Sequence, residues 1–173
     1  MKIILFVLAV LIVACSSKKD PVCLTIDDSL TPTMLDTLRQ YNVKVTFFPT
    51  GNTVDKALVR QALSEGHSVG NHSFSGKNFR VVSTEEIGEE ITLADEVMGI
   101  TTTIVRPPYG EYDDRLGLFG RKIIMWNSIA DEAGREIKGI VLLHQEPRLE
   151  AVITEVLNRG DTFSELEKCL SQH

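Results

Sequence analysis

The sequence predicts an α/β fold in which helices cover a mostly parallel sheet, and three observations predict it. Short apolar runs alternate with segments of helical spacing along most of the chain. The helical segments carry start and stop signals of their own. The composition, 43% hydrophobic against 24% charged in 173 residues, suits one domain with an ordinary core. Periodicity leaves open whether the seven strand candidates close into a barrel or stay open.

The first strand candidate is "VCLTI", residues 22–26. A helix follows from Thr31, an N-cap, and Pro32, a first helical residue, with Met34, Leu35, Leu38 and Tyr41 at helical spacing. "VKVTFF" reads as a strand, "TVDKALVRQALSEG" as a helix closed by Gly66, and "HSVG" as a short strand. Ser83 and Glu86 form a capping box ahead of a helix that stops at Gly99, and the charge run "STEEIGEE" reads as its solvated face. "TTIV", "KIIMW" and "GIVLL" are further strands. "LEAVITEVLNRG" is a helix stopped by Gly160, and "DTF" is a last short strand before "SELEKCL".

The amino terminus has a different character. Lys2 precedes an unbroken apolar run from Ile3 to Ala14, too short for a membrane-spanning helix of about 20 residues but suited to a secretory signal. "LIVAC" resembles the lipobox of bacterial lipoproteins, with Cys15 as the lipidated residue; an ordinary signal peptide with an incidental cysteine is the alternative. The expected organisation is a signal peptide over 1–14, a tether over 15–20 and a domain over 21–173, exported and anchored to a membrane of the bacterial envelope. Export would permit a disulfide between Cys23 and Cys169. Cys23 lies in an apolar strand pattern, however, where a buried free thiol is the more frequent state. The net charge of -6 argues against nucleic acid as a partner and leaves a neutral glycan open.

Polar residues collect where strands end, which is where sites form in parallel α/β folds. Asp27 and Asp28 follow the first strand, Asn71 and His72 follow "HSVG", and Arg106 follows "TTIV". Trp126 ends "KIIMW", Asp131 comes five residues later, and His144 ends "GIVLL". Adjacent carboxylates repel unless a cation or a strong hydrogen bond relieves them. An Asp and a His can ligate a divalent ion, a second carboxylate can take a proton from water, an arginine can hold that carboxylate, and a distant histidine can protonate a leaving group. His67, at the incoming end of its strand, reads as structural, and His173, the last residue, as mobile.

Four segments in this order resemble the polysaccharide deacetylase family, also called the NodB-homology or carbohydrate esterase family 4 domain, from about residue 22 to 170. They are "LTIDDSLTPTMLDTLRQYNVKVTFFPTGN", "EGHSVGNHSF", "RPPYG" and "IVLLH". The resemblance implies a distorted, incomplete (β/α) barrel of about seven parallel strands. It implies metal-dependent removal of acetyl groups from N-acetylated or O-acetylated glycans by a monomer. By position, Asp27 matches the base, Asp28 and His72 two ligands of a zinc, cobalt or nickel ion, and Arg106 the residue that positions the base. Tyr109 matches the oxyanion-holding amide and Leu142 a wall of the acetyl pocket. His144 matches the general acid, and Asp131 the carboxylate that tunes it. Trp126 serves as a sugar platform or as core.

The sequence departs from the family pattern at three places. The second histidine of the H-[ST]-x-x-H motif is Gly76, Ser29 follows the acid pair in place of glycine, and Glu132 stands where tryptophan follows Asp131. Asn78, Ser75 or water would have to complete the metal site. Two readings follow: an active deacetylase with a weak metal site, or a degenerate envelope lipoprotein that binds glycan without hydrolysing it.

Overall fold

The structure, a computed structural model, describes residues 21–171. The signal peptide, Cys15 with its tether, and His173 lie outside the described residues.

The central strand is β1 (Cys23–Asp28), flanked by β2 (Thr46–Pro49) and β7 (Ile140–Leu143), with β3 (Ser68–Val69) and β6 (Ser128–Ile129) outside them. Every strand pair is parallel. β4 (Ile104–Val105) and β5 (Lys122–Ile123) form a second pair, joined to the first sheet by a parallel bridge between Asn71 and Val105. The strands thus curve as an incomplete barrel, and among the described residues no pairing closes β5 onto β6.

Strand alternation gives β1 two different faces. Leu24 and Ile26 join the large core under α1 (Pro32–Tyr41) and α4 (Leu149–Asn158), with Met34, Leu35, Leu38, Val152, Ile153 and Val156. Full burial of each such side chain contributes roughly 1.5–3 kcal/mol. Cys23, Thr25 and Asp27 face the barrel interior. There Cys23 packs with Phe48, Ile124 and Ile140 against Leu166 and Cys169 of α5 (Leu166–Leu170).

The helices begin and end where the caps place them. The Thr31 hydroxyl accepts from the Met34 amide, and Asp55 caps α2 (Lys56–Ser64). The Ser83–Glu86 capping box opens α3 (Thr84–Met98), and Gly99 ends it at φ +70°.

Two expectations need correction. Cys23 is not a free thiol but is bonded to Cys169, with Cα atoms 6.3 Å apart, because the inward face of β1 meets α5. "DTF" supplies only an isolated bridge, Phe163 to Val22. The seventh strand is instead Ser128–Ile129, too short and polar to show an apolar run.

Candidate active site

The adjacent acids do not share one environment. Asp27 points into the barrel and is 2% exposed, whereas Asp28 adopts φ +66° and leaves its side chain 57% exposed. Arg106, which follows β4, is fully buried. Its Nη1 donates to Asp27 Oδ1 and to Thr25 Oγ1, both at 2.7 Å, and its Nε donates to the Ile124 carbonyl at 3.0 Å. The guanidinium lies 4.4 Å from the Phe48 ring centre and 5.6 Å from that of Trp126. Burial raises the Asp27 pKa above the ordinary carboxylate value, while Arg106 and then His72 pull it back. Burial likewise lowers the Arg106 pKa, against the pull of Asp27.

His72 comes to the pair from the end of β3. A Cβ at Gly70 would lie 2.4 Å from the Phe48 ring, so the glycine lets this strand close on the residue that stacks on Arg106. Asn71, fully buried, donates to Asp95 Oδ1 and to the Ile91 carbonyl, and its backbone carbonyl accepts from the Arg106 amide. His72 Nδ1 lies 2.8 Å from the Arg106 carbonyl. A carbonyl only accepts, so Nδ1 donates, and Nε2 faces Asp28 Oδ1 at 3.5 Å and Asp27 Oδ2 at 3.8 Å.

An imidazole nitrogen opposed by two carboxylate oxygens is a donor set that fits a divalent cation, with Asp28 and His72 as its protein ligands. A third is lacking: among the described residues no three His, Cys, Asp or Glu side chains form a metal-binding group. Gly76 sits at φ +78° with open space where a Cβ would be. The expected substitutes are engaged elsewhere, since the Ser75 hydroxyl donates to Glu90 Oε1 at 2.8 Å and Asn78 Oδ1 accepts from the Arg80 amide.

His144, at the end of β7, meets Asp131, which follows β6. Asp131 Oδ2 lies 2.6 Å from His144 Nδ1, and Oδ1 accepts from the His144 amide at 2.7 Å, so one carboxylate fixes ring and backbone together. Leu142 pairs with Thr25 across β1 and β7 and is buried on the face that carries Asp27 and His144. Trp126 is half-buried, with its ring beside Arg106. Tyr109 adopts φ +62° and is 77% exposed.

Two residues were missed. Thr25 shares the Arg106 Nη1 donor with Asp27, as its i−2 position in the strand could have suggested. Glu90 corrects the reading of "STEEIGEE" as wholly solvated, for it is 5% exposed. It accepts from the Phe74 and Ser75 amides and fixes the loop after His72. Burial opposes its ionisation, yet the Ser75 amide and hydroxyl hold its pKa below the usual value. Its spacing with Ile87, Ile91 and Ala94 on the buried helix face was the available signal. His67 lies outside the site, buried, with Nδ1 accepting from the Val45 amide at 3.2 Å.

Comparison with known proteins places this geometry in a family. The polysaccharide deacetylase family model matches residues 15–123. Peptidoglycan-N-acetylglucosamine deacetylase PgdA of Listeria monocytogenes is 30% identical over 177 residues, covering 85% of this chain and 38% of the relative. Peptidoglycan-N-acetylmuramic acid deacetylase PdaA of Bacillus subtilis is 28% identical over 189 residues, covering 88% of this chain and 72% of the relative. The solved structure of the Bc1960 peptidoglycan N-acetylglucosamine deacetylase superposes with a TM-score of 0.74 at 28% identity, covering 86% of this chain and 87% of that one. The chain thus spans well under half the length of its Listeria relative. The matched residues, the curved parallel sheet and the strand-end cluster together make this chain a member of the polysaccharide deacetylase family.

Proposed function

We propose that the protein is a hydrolase that removes acetyl groups from N-acetylated glycans of the peptidoglycan or chitin type. The observation that carries this reading is the opposition of two ordered pairs across one face, Asp27 with Arg106 and His144 with Asp131. A divalent ion held by Asp28 and His72 would supply Lewis acidity and a more acidic water. Asp27 takes the proton from the attacking water, with Arg106 keeping the carboxylate ionised and oriented. The Tyr109 amide donates to the acyl oxygen as negative charge grows there. His144, fixed by Asp131 through Nδ1, presents Nε2 to the leaving nitrogen and protonates it as the C–N bond breaks. Leu142 walls the space for the methyl group.

The Cys23–Cys169 disulfide supports an oxidising compartment, and the lipobox at Cys15 supports export with a lipid anchor. Gly76, with Ser75 and Asn78 engaged elsewhere, favours a second reading in which the protein holds glycan without cleaving it. Acetate release from peptidoglycan and from N-acetylglucosamine oligomers, with and without chelator, separates the two. The wild type releases acetate that chelator abolishes, and Asp27→Asn loses at least about 100-fold. Retained glycan binding with no acetate under any metal supports the binder.

A further inference from the structure

We infer that Thr50 and Thr53 are positioning residues for the metal site: their hydroxyls hold the backbone turn that brings the Asp28 carboxylate to His72. The inference rests on the reading of Asp28 and His72 as metal ligands and names the residues that set their spacing.

Strand alternation alone would misdirect Asp28. Leu24 and Ile26 face the helices and Asp27 is enclosed on the other side, so an extended residue 28 would follow Ile26 towards the helix layer. Instead Asp28 adopts φ +66°, and the Ser29 amide donates to the Asp27 carbonyl at 2.8 Å. A bond from residue i to i+2 across a residue of positive φ is a γ-turn of the strained kind. The turn swings the Asp28 side chain back over the site, where Oδ1 lies 3.5 Å from His72 Nε2. Aspartate tolerates such a backbone better than most residues, but the conformation persists only where its surroundings hold it.

The loop after β2 holds it. The register pairs Asp28 with Pro49, and the last ladder bond, from the Thr50 amide to the Asp28 carbonyl, is stretched to 3.4 Å. Two hydroxyls join that carbonyl, Thr50 Oγ1 at 3.2 Å and Thr53 Oγ1 at 3.4 Å, and they lie 2.9 Å from each other. Each hydroxyl has one proton to give and can accept as well. When one donates to the Asp28 carbonyl, the other can donate to its oxygen. Either arrangement keeps a hydroxyl donor on the turn.

The same loop grips the other ligand's segment. The Gly51 amide donates to the Ser73 carbonyl at 3.0 Å, and the Asn52 amide donates to the Phe74 carbonyl at 2.8 Å. These are the two residues after His72. A Cβ at Gly51 would lie 2.9 Å from the Ala94 Cα and from the Phe74 ring, so the loop is wedged between α3 and the segment after His72. Residues 50–53 therefore bind the Asp28 turn on one side and the His72 segment on the other. One short loop fixes the spacing of both.

The test is a Thr50→Val/Thr53→Val double variant, which removes both hydroxyls and keeps the side-chain shape, beside Thr50→Ser/Thr53→Ser, which keeps the hydroxyls. Calorimetry reads zinc affinity. In the metal-free protein, the strong amide–Hα Overhauser effect within Asp28 reads the positive φ. The valine variant is expected to bind zinc at least about tenfold more weakly and to lose the strong effect. Its Tm should stay within a few degrees of the wild type. The serine variant should match the wild type in both readouts. If the double valine variant fails to fold, Thr53→Val, at an exposed residue, gives the same two readouts. A folded valine variant with unchanged zinc affinity or an unchanged Asp28 turn overturns the inference, as does a serine variant as weak as the valine one. A wild type that binds no zinc, but whose turn is lost with valine and kept with serine, retains the positioning and sinks the metal reading instead.

Discussion

The Arg106 guanidinium and the Asp27 carboxylate meet at 2.7 Å although 79 residues separate them in sequence, and both are shut off from water. Burial alone would favour a neutral Asp27, and the arginine opposes that shift. In the proposed mechanism the pair therefore bears on the pH range over which Asp27 can act as a base.

Replacing Arg106 with methionine leaves a buried carboxylate without its cation, which costs about 3–5 kcal/mol of stability in denaturant titrations. The Asp27 pKa, already raised, climbs further. Since the base must be ionised, activity is lost as pH falls through that pKa, so the acid limb of kcat/KM moves to higher pH. An unmoved acid limb in a folded variant would remove Asp27 from the role of base.

Gly76→His tests the missing ligand. The position holds φ +78°, which costs a side-chain-bearing residue about 1–2 kcal/mol, and a Cβ there meets open space. Calorimetry is expected to show zinc bound at least about tenfold more tightly, a gain of about 1.4 kcal/mol, beside a Tm a few degrees lower. Unchanged zinc affinity in a folded variant means that the new imidazole does not reach Asp28 and His72.

The disulfide closes a loop across 146 residues and pins α5 to the strand that bears the acid pair. Limiting the unfolded chain over that span is worth up to about 5 kcal/mol. Cys169→Ser is expected to lower the denaturant midpoint sharply and to steepen the slope, because the unbridged chain unfolds to a more open state that exposes more surface. Reducing agent should do the same to the wild type and nothing further to the variant.

His67 sets an acid limit on stability. Its pKa is pushed down to about 4 by burial, with Lys44 adding repulsion against the opposing pull of Glu65. Protonation would also end the bond that Nδ1 accepts from the Val45 amide. The unfolded chain takes up the proton below about 6.5 while the native state refuses it, so stability is full above that pH. It declines as pH falls towards 4, by up to about 3 kcal/mol. His67→Asn keeps an acceptor for Val45 and is expected to flatten that decline, as thermal melts between pH 4 and 7 would show.

Much of this protein is local and therefore legible in its sequence. The Thr31 cap, the Ser83–Glu86 capping box and the Gly99 stop each depend on residues within one helical turn, and the structure places them as the sequence predicts. The polar residues at the strand ends were legible too, because alternation and strand direction deliver them to one pole. What the sequence could not give were relationships made across the fold. The inward turn of Cys23 towards α5, the descent of Glu90 onto the loop after His72, and the sharing of Arg106 between Thr25 and Asp27 each join segments far apart in the chain. Asp27 and Asp28 are identical as letters. Only packing decides that one is enclosed beside an arginine while the other, at φ +66°, turns out to the solvent, because burial and backbone sign at that step are set by neighbours the linear order does not name.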